Sequence, residues 1–333
     1  MLSVIYPVYN EAKYIEVCIQ SILLQDYPKD ELEVLFVDGM GKDCTRDVIL
    51  GYAKQLPFIR LLDNVKRIVP VAMNIGIAVA KGDIIMRLDA HAEYPTNYFS
   101  ELTKQLKELN ADNVGAVCIT LPMNESATAK AIAAVLSSKF GMGNSAFRVG
   151  AKEVSRVDTV PFGCWPRSVF DRIGMFDLEL VRNQDDEFNG RSTKAGGLIY
   201  LLPQVEVKYF ARDKVSKVAK MFYQYGLFKP LVNKKLGAPA TLRQFIPLLF
   251  VLGLALGFII SLIWPLFTWV YCTGIILYLL LALMFSVRSS RNPKQIFIQT
   301  GTYFIVHLNY GYGYIIGLWK LLTKQSFNVQ NNR

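Results

Sequence analysis

The chain has 333 residues, 52% of them apolar, which argues for a folded protein of one large or two ordinary domains. Its net charge of +10 is unevenly placed: residues 1–204 carry 22 Lys/Arg against 25 Asp/Glu, and residues 205–333 carry 15 against 2. The basic excess lies beside long apolar runs, so it speaks for an anionic membrane surface and against a nucleic-acid partner.

The first stretch, "LSVIYPVYN", is a short apolar strand running into a polar turn. "EAKYIEVCIQSILLQ" then has helical periodicity, with Ile15, Cys18, Ile19, Ile22 and Leu23 on one face. A second strand, "LEVLFVDG", is followed by a helix, "TRDVILGYAKQ", for which Thr45 is the expected cap. A third strand, "FIRLLD", a helix, "VPVAMNIGIAVAK", and a fourth strand, "GDIIMRLDA", complete the pattern. Alternating strands and helices predict an α/β fold: a Rossmann-like, mainly parallel sheet with helices on both faces.

In such sheets ligands bind at the carboxyl ends of the strands. Strand one ends in Pro7, Tyr9, Asn10 and Glu11, strand two in Asp38-Gly39, and strand four in Asp89-Ala90-His91. Three polar clusters on one edge make a site. No G-x-G-x-x-G follows the first strand, and no G-x-x-x-x-G-K-[ST] occurs, so neither a dinucleotide cofactor nor ATP-driven transport is supported.

After a head spanning residues 1–213, lysines at 217, 220, 229, 234 and 235 stand among aromatics. Residues 214–243 therefore read as a basic amphipathic segment at a membrane surface, or as a plain linker. Residues 244–287 contain no charge and are long enough for two spanning helices, at about 245–263 and 266–286, broken near Trp264-Pro265. The uncharged run 295–319 is more aromatic and glycine-rich. It reads as a third span at 296–318, or as a re-entrant segment broken between Asn309 and Gly313, before a polar tail at 321–333. The N-terminus has no signal-peptide pattern, so the head is expected in the cytosol, with Arg288, Arg291 and Lys294 on the same side. Five scattered cysteines lack metal-type spacing and read as reduced thiols.

Four blocks, "VIYPVYNE", "VLFVDGMGKDCT", "AMNIGIAVAKGDIIMRLDAH" and "NQDDEFNGR", occur in the order found in family 2 glycosyltransferases of the GT-A fold, and the resemblance covers about residues 1–230. "DAHAEYP" and "TVPFGCWPRSVFDRIGMFD" resemble more narrowly the succinoglycan-type exopolysaccharide membrane glycosyltransferases. The resemblance implies that Pro7, Tyr9 and Glu11 lie against the nucleotide and that Asp38 hydrogen-bonds its base. It places Lys66, Arg67 and Asn74 near the nucleotide sugar, and makes Asp89 and His91 the outer positions of the metal-binding D-x-D motif. Asp185 matches the aspartate of the "ED" motif, the general base. Acceptor contacts are implied for Gly163, Cys164, Trp165, Gln184 and Arg191. The pattern is broken in two places: Gln184 stands where a Glu usually precedes the base, and no Q-x-x-R-W motif is present, which favours addition of one sugar over chain synthesis.

Each of these residues also has a plainer reading. His91 can be a hydrogen-bonded strand-end histidine, Trp165 ordinary core, and Lys66 and Arg67 a solvated loop. The acids Asp185, Asp186 and Glu187 can simply complement a helix N-terminus. A histidine suffices as ligand where a diphosphate and water supply the remaining oxygens, and it suits Mn²⁺ somewhat better than Mg²⁺. The expected activity is inverting transfer of a hexose from a nucleotide-diphosphate sugar, UDP-linked by preference, to a lipid-linked saccharide in bacterial surface polysaccharide synthesis. The rivals are transfer to a polyprenyl phosphate and a membrane transporter with a nucleotide-binding head.

Overall fold

A computed structural model describes residues 1–239 and 241–327. Along the chain the strands and helices begin with β1 (Leu2–Val8), α1 (Ile15–Leu23), β2 (Leu32–Asp38), α2 (Thr45–Ala53), β3 (Ile59–Asp63), α3 (Val69–Val79) and β4 (Ile84–Arg87). There follow β5 (Ala92–Glu93), α4 (Tyr98–Glu108), β6 (Asn113–Leu121), α5 (Ala127–Leu136), α6 (Lys139–Met142) and α7 (Ala146–Val149). Next come β7 (Ser155–Arg156), β8 (Cys164–Pro166), α8 (Arg167–Ile173), α9 (Gln184–Lys194) and β9 (Ile199–Phe210). The chain then continues into α10 (Val215–Leu236), α11 (Ile246–Ile263), α12 (Pro265–Ser289) and α13 (Pro293–Leu322).

These elements form two compact units, residues 1–119 with 150–209 and residues 120–149 with 210–327. A single cut at residue 213 therefore does not reproduce the division, because residues 120–149 group with the C-terminal helices. The tail read as 321–333 lies outside the described residues from 328 onward.

The first unit is built on the sheet, whose order is β3-β2-β1-β4-β8-β6-β9-β5, with β7 also paired to β9. Every residue of β1 and β2 is buried, as suits central parallel strands covered on both faces. The pairs β1–β2, β2–β3 and β1–β4 are parallel. The other half of the sheet is different: β8 runs antiparallel to β4 and β6, and β5 and β7 run antiparallel to β9. Parallel register puts Val8 beside Asp38 and Asp38 beside Asp63, which gathers strand ends on one edge. Trp165, Phe170, Phe176 and Phe188 pack against Ile5, Leu35, Met73 and Ile85 to form the core under that edge.

The cap of α2 differs from expectation. Cys44 is the N-cap residue and Thr45 the first residue of the helix. The Thr45 hydroxyl donates to Asp43 at 2.6 Å and accepts the Glu11 N–H at 2.8 Å, so it ties the β1 turn to α2.

In the second unit α10 packs most extensively along α13, which also meets α5, α11 and α12. α13 runs unbroken through Asn309–Gly313. Its glycines mark close helix crossings instead: a Cβ at Gly313 would lie 2.1 Å from the Tyr223 carbonyl oxygen, and one at Gly226 would lie 2.0 Å from that of Tyr310. Gly313→Leu is expected to lower the thermal midpoint in detergent, overpacking costing about 1–3 kcal/mol or more. Gly301→Ala, where nothing lies within 4 Å, should leave the midpoint unchanged or raise it. Equal behaviour of the two variants in a thermal melt would contradict this packing.

Among the described residues two helices, Leu242–Ile263 and Pro265–Ser289, are long and apolar enough to cross a membrane. Their apolar side chains are mostly exposed, Ile263 by 79% and Trp269 by 74%, unlike those of a buried core helix. The segment read as a third span is part of α13, and its Thr302, Tyr303, Val306 and Tyr314 are buried. α10 likewise buries one face against α13, and Lys217, Lys220 and Lys234 stay exposed.

Candidate active site

The site is assembled within the first unit, where β1, β2 and β4 end. A cleft at the ends of β1 and β2 is lined by Pro7, Tyr9, Gly39, Asn64, Arg67 and Arg182, among others. Gly39 is required by the close approach of Tyr9: a Cβ would stand 2.9 Å from the Tyr9 ring. Arg67 adopts a left-handed backbone, φ 60°, stabilised by its N–H donating to the carbonyl and side-chain oxygens of Asn64. Two arginines, Arg67 and Arg182, are among the residues that line the cleft. Arg182 was not distinguished in the sequence, because it lies between the recognisable blocks. Lys66 is exposed and does not line the cleft.

Three residues expected at the nucleotide have other principal partners. Asp38 is almost fully buried and accepts a hydrogen bond from Arg46 at 3.3 Å, while the same Arg46 nitrogen reaches Asp63 at 2.7 Å. Arg46 therefore joins the ends of β2 and β3 and holds the Asp38 carboxylate in place. Glu11 is also buried, and its carboxylate faces His91 Nδ1 at 3.3 Å. It supports the histidine rather than lining the cleft. The Asn74 amide donates to the Phe176 carbonyl at 2.8 Å and accepts the Phe176 N–H at 3.0 Å. That clasp ties α3 to the segment leading to Val181 and Arg182 in the cleft wall.

At the end of β4 the turn Asp89-Ala90-His91 is fixed through Tyr94, whose hydroxyl accepts the Asp89 N–H at 2.9 Å and donates to the Asp89 carbonyl at 3.3 Å. His91 is partly exposed. A carboxylate facing one ring nitrogen of a histidine commonly orients a metal-ligating imidazole, leaving the other nitrogen for the metal. Among the described residues no group of three or more His, Cys, Asp or Glu side chains is placed to hold a metal ion. Asp89 and His91 fit a cation only if a ligand contributes further oxygens, as a diphosphate does.

Asp185 is the second residue of α9, which follows Asn183 in a left-handed conformation. Both its carboxylate oxygens accept from Arg87 Nη1, at 2.6 and 2.7 Å, and Arg87 Nη2 lies 3.4 Å from Asp89 Oδ1. Burial pushes the Asp185 carboxyl above the ordinary carboxylate range; Arg87 opposes this, and the negative charges of Asp89 and Asp186 add to it. One guanidinium thus joins the expected base to the expected metal ligand. The sequence did offer a signal for it, a lone arginine ending the apolar run "IIMR".

The residues expected at the acceptor are largely packed within the first unit. Cys164 and Trp165 belong to β8 and are buried, and burial raises the Cys164 thiol far above its usual value. The Trp165 ring is enclosed by Phe170, Phe176 and Phe188, so it offers no face to a sugar. Gly163 leaves room for that ring, which a Cβ would meet at 2.3 Å. Gln184 is buried, and Arg191 pairs with Glu187 and donates to the carbonyls of Ile173 and Met175.

A mixed α/β sheet with a cleft and acidic residues at its strand ends is the arrangement of a glycosyltransferase of the GT-A type. The model of glycosyl transferase family 2 matches residues 3–173, and the chain belongs to that family. It is 34% identical over 241 residues to a Methanococcus voltae enzyme, dolichyl N-acetyl-α-D-glucosaminyl phosphate 3-β-D-2,3-diacetamido-2,3-dideoxy-β-D-glucuronosyltransferase, covering 70% of this chain and 74% of the relative. It is 30% identical over 256 residues to the succinoglycan biosynthesis protein ExoA of Rhizobium meliloti, covering 74% of each. Among solved structures, the mannosyltransferase PcManGT of Pyrobaculum calidifontis, in complex with GDP-Man and Mn²⁺, shares the fold. Its TM-score is 0.55 at 19% identity, over 98% of this chain and 88% of that one.

Proposed function

We propose that the protein transfers a hexose from a nucleotide-diphosphate sugar, UDP-linked by preference, to a lipid-linked saccharide, with inversion at the anomeric carbon. The observation that carries this reading is the placement of Asp185, with its raised carboxyl, beside Asp89 at the mouth of β4. The nucleotide occupies the cleft, with Pro7 and Tyr9 against it, Asp38 toward the base, and Arg67 and Arg182 toward the diphosphate. Asp89 and His91 would hold a divalent cation, Mn²⁺ or Mg²⁺, which neutralises charge on the departing diphosphate. Asp185 accepts the proton of the acceptor hydroxyl as that oxygen bonds to the anomeric carbon and the bond to the nucleotide diphosphate breaks. A single displacement converts an α-linked donor into a β-linked product.

The names of the two curated relatives support an acceptor carried on a lipid and a role in surface polysaccharide synthesis. The helices Leu242–Ile263 and Pro265–Ser289 are then membrane spans. Arg288, Arg291 and Lys294 after the second span support a cytoplasmic location for the catalytic unit. The proposal is tested by incubating purified protein with radiolabelled nucleotide sugars and bacterial lipid extract. Label from one donor should enter the organic phase and be released by cleaving sugar from lipid. Label recovered only as free sugar or intact donor overturns the reading.

Transfer to a polyprenyl phosphate is the second reading, kept because a Trichomonas vaginalis relative, 30% identical over 130 residues, is named a dolichyl-phosphate β-glucosyltransferase. A phosphate acceptor is already ionised and needs no base, so full activity without the Asp185 carboxylate would select it.

A further inference from the structure

We propose that Arg87 is a positioning residue for transfer: its guanidinium bridges Asp185 and Asp89, fixing the base carboxylate relative to the strand end where the donor diphosphate is held. The inference rests on the reading of Asp185 as general base and extends it to Arg87, two residues before Asp89 at the end of β4.

Arg87 is held from three directions. It ends β4, its position is paired with Ile5 of β1, and its N–H donates to the Gly163 carbonyl at 3.0 Å. Its side chain is only 8% exposed. Asp185, by contrast, stands at the start of a helix entered through a left-handed residue, and its side chain is 29% exposed. The rigid partner therefore orients the more accessible one. Nη1 engages both oxygens of Asp185, leaving each oxygen a further lone pair for an acceptor hydroxyl. Nη2 spans to Asp89, while Nε is buried with no hydrogen-bond partner.

A group placed only for stability would be an inefficient choice here. Burying charges costs solvation that their mutual attraction often does not recover, and a buried nitrogen without a partner adds to that cost. What the arrangement supplies is geometry. A planar guanidinium can contact two carboxylates at once from fixed directions, whereas a lysine ammonium is a point charge that cannot reproduce both contacts. The arginine thus sets the distance and direction between the group that takes the proton and the group beside the leaving diphosphate, and a small misplacement between such groups costs rate steeply.

The test is a double-mutant cycle on the full chain in detergent with the donor and lipid acceptor found active. Arg87→Gln and Arg87→Lys should each lower kcat about 100-fold, with donor KM and UDP affinity changed less than about threefold. Arg87→Gln combined with Asp185→Asn should be no slower than Asp185→Asn alone, because the two side chains act as one unit. Losses that multiply in the double variant overturn the inference, as does a loss confined to donor affinity. If Arg87→Gln lacks a cooperative melt, Arg87→Lys carries the test, since it keeps the buried charge; full kcat in that variant also overturns the inference. Near-normal transfer by Asp185→Asn removes the base reading and this inference with it. An inactive Asp185→Asn beside a fully active Arg87→Lys removes this inference alone.

Discussion

Asp185→Asn is expected to bind UDP as the native protein does while transferring sugar roughly 10²–10⁴-fold more slowly, the scale on which a positioned general base acts. The amide retains the shape of the carboxylate and can still accept from Arg87 through its oxygen, so the substitution removes proton affinity with little change in packing. The pH dependence follows in sign. The base works when ionised, and burial holds its folded-state pKa above the ordinary carboxylate value of about 3.9, so kcat should rise with pH through a limb displaced upward from that value. Arg87 opposes the displacement, and Arg87→Gln should move the limb further up. A rate–pH profile of the native enzyme and the variant measures both effects; a limb at the ordinary carboxylate value in each contradicts the assignment.

Removal of divalent cations is the second large effect expected. The described residues hold no protein-only metal cluster, so the cation and the donor diphosphate should bind together, each strengthening the other. Chelation should abolish transfer, and Mn²⁺ or Mg²⁺ should restore it. His91→Ala should raise the metal concentration for half-maximal activity at least about tenfold, the lower end for loss of a ligand or its orienting partner. His91→Asp should retain partial activity, because a carboxylate is a good ligand for these hard cations. Glu11→Gln should fall between native and His91→Ala, since it disturbs the orientation of the imidazole without deleting it. Titration of activity against Mn²⁺ for the three variants measures the order, and an unchanged requirement in His91→Ala would leave that histidine a structural role.

The parallel half of the sheet was legible in the sequence because β1, β2 and β4 are buried apolar runs that end in polar turns. The antiparallel half was not. β5, β7 and β8 have two or three residues each, too few to show a period, and their pairing is set by partners distant in the chain. Asp89, His91 and Asp185 could be found because each stands at an element end within a recognisable block. Arg46 and Arg182 carried no local signal, and Arg87, though visible as a lone arginine ending an apolar run, could not be paired from the sequence because Asp185 lies 98 residues away. Trp165 and Asn74 meet the same limit: nearness to a motif gave ligand contact as one reading, and their partners Phe188 and Phe176 are distant in sequence. In the second unit the run 295–319 allowed either a continuous span or a break at Asn309–Gly313; the helix is continuous, and glycines 311 and 313 occur where other backbones press against it.

The configuration of the newly formed bond tests the central claim most directly. Product made from an α-linked nucleotide sugar, released from its lipid and examined by proton NMR, should carry one added hexose in β-linkage, as a single displacement assisted by Asp185 requires. An α-linked product would show retention of configuration and contradict that mechanism.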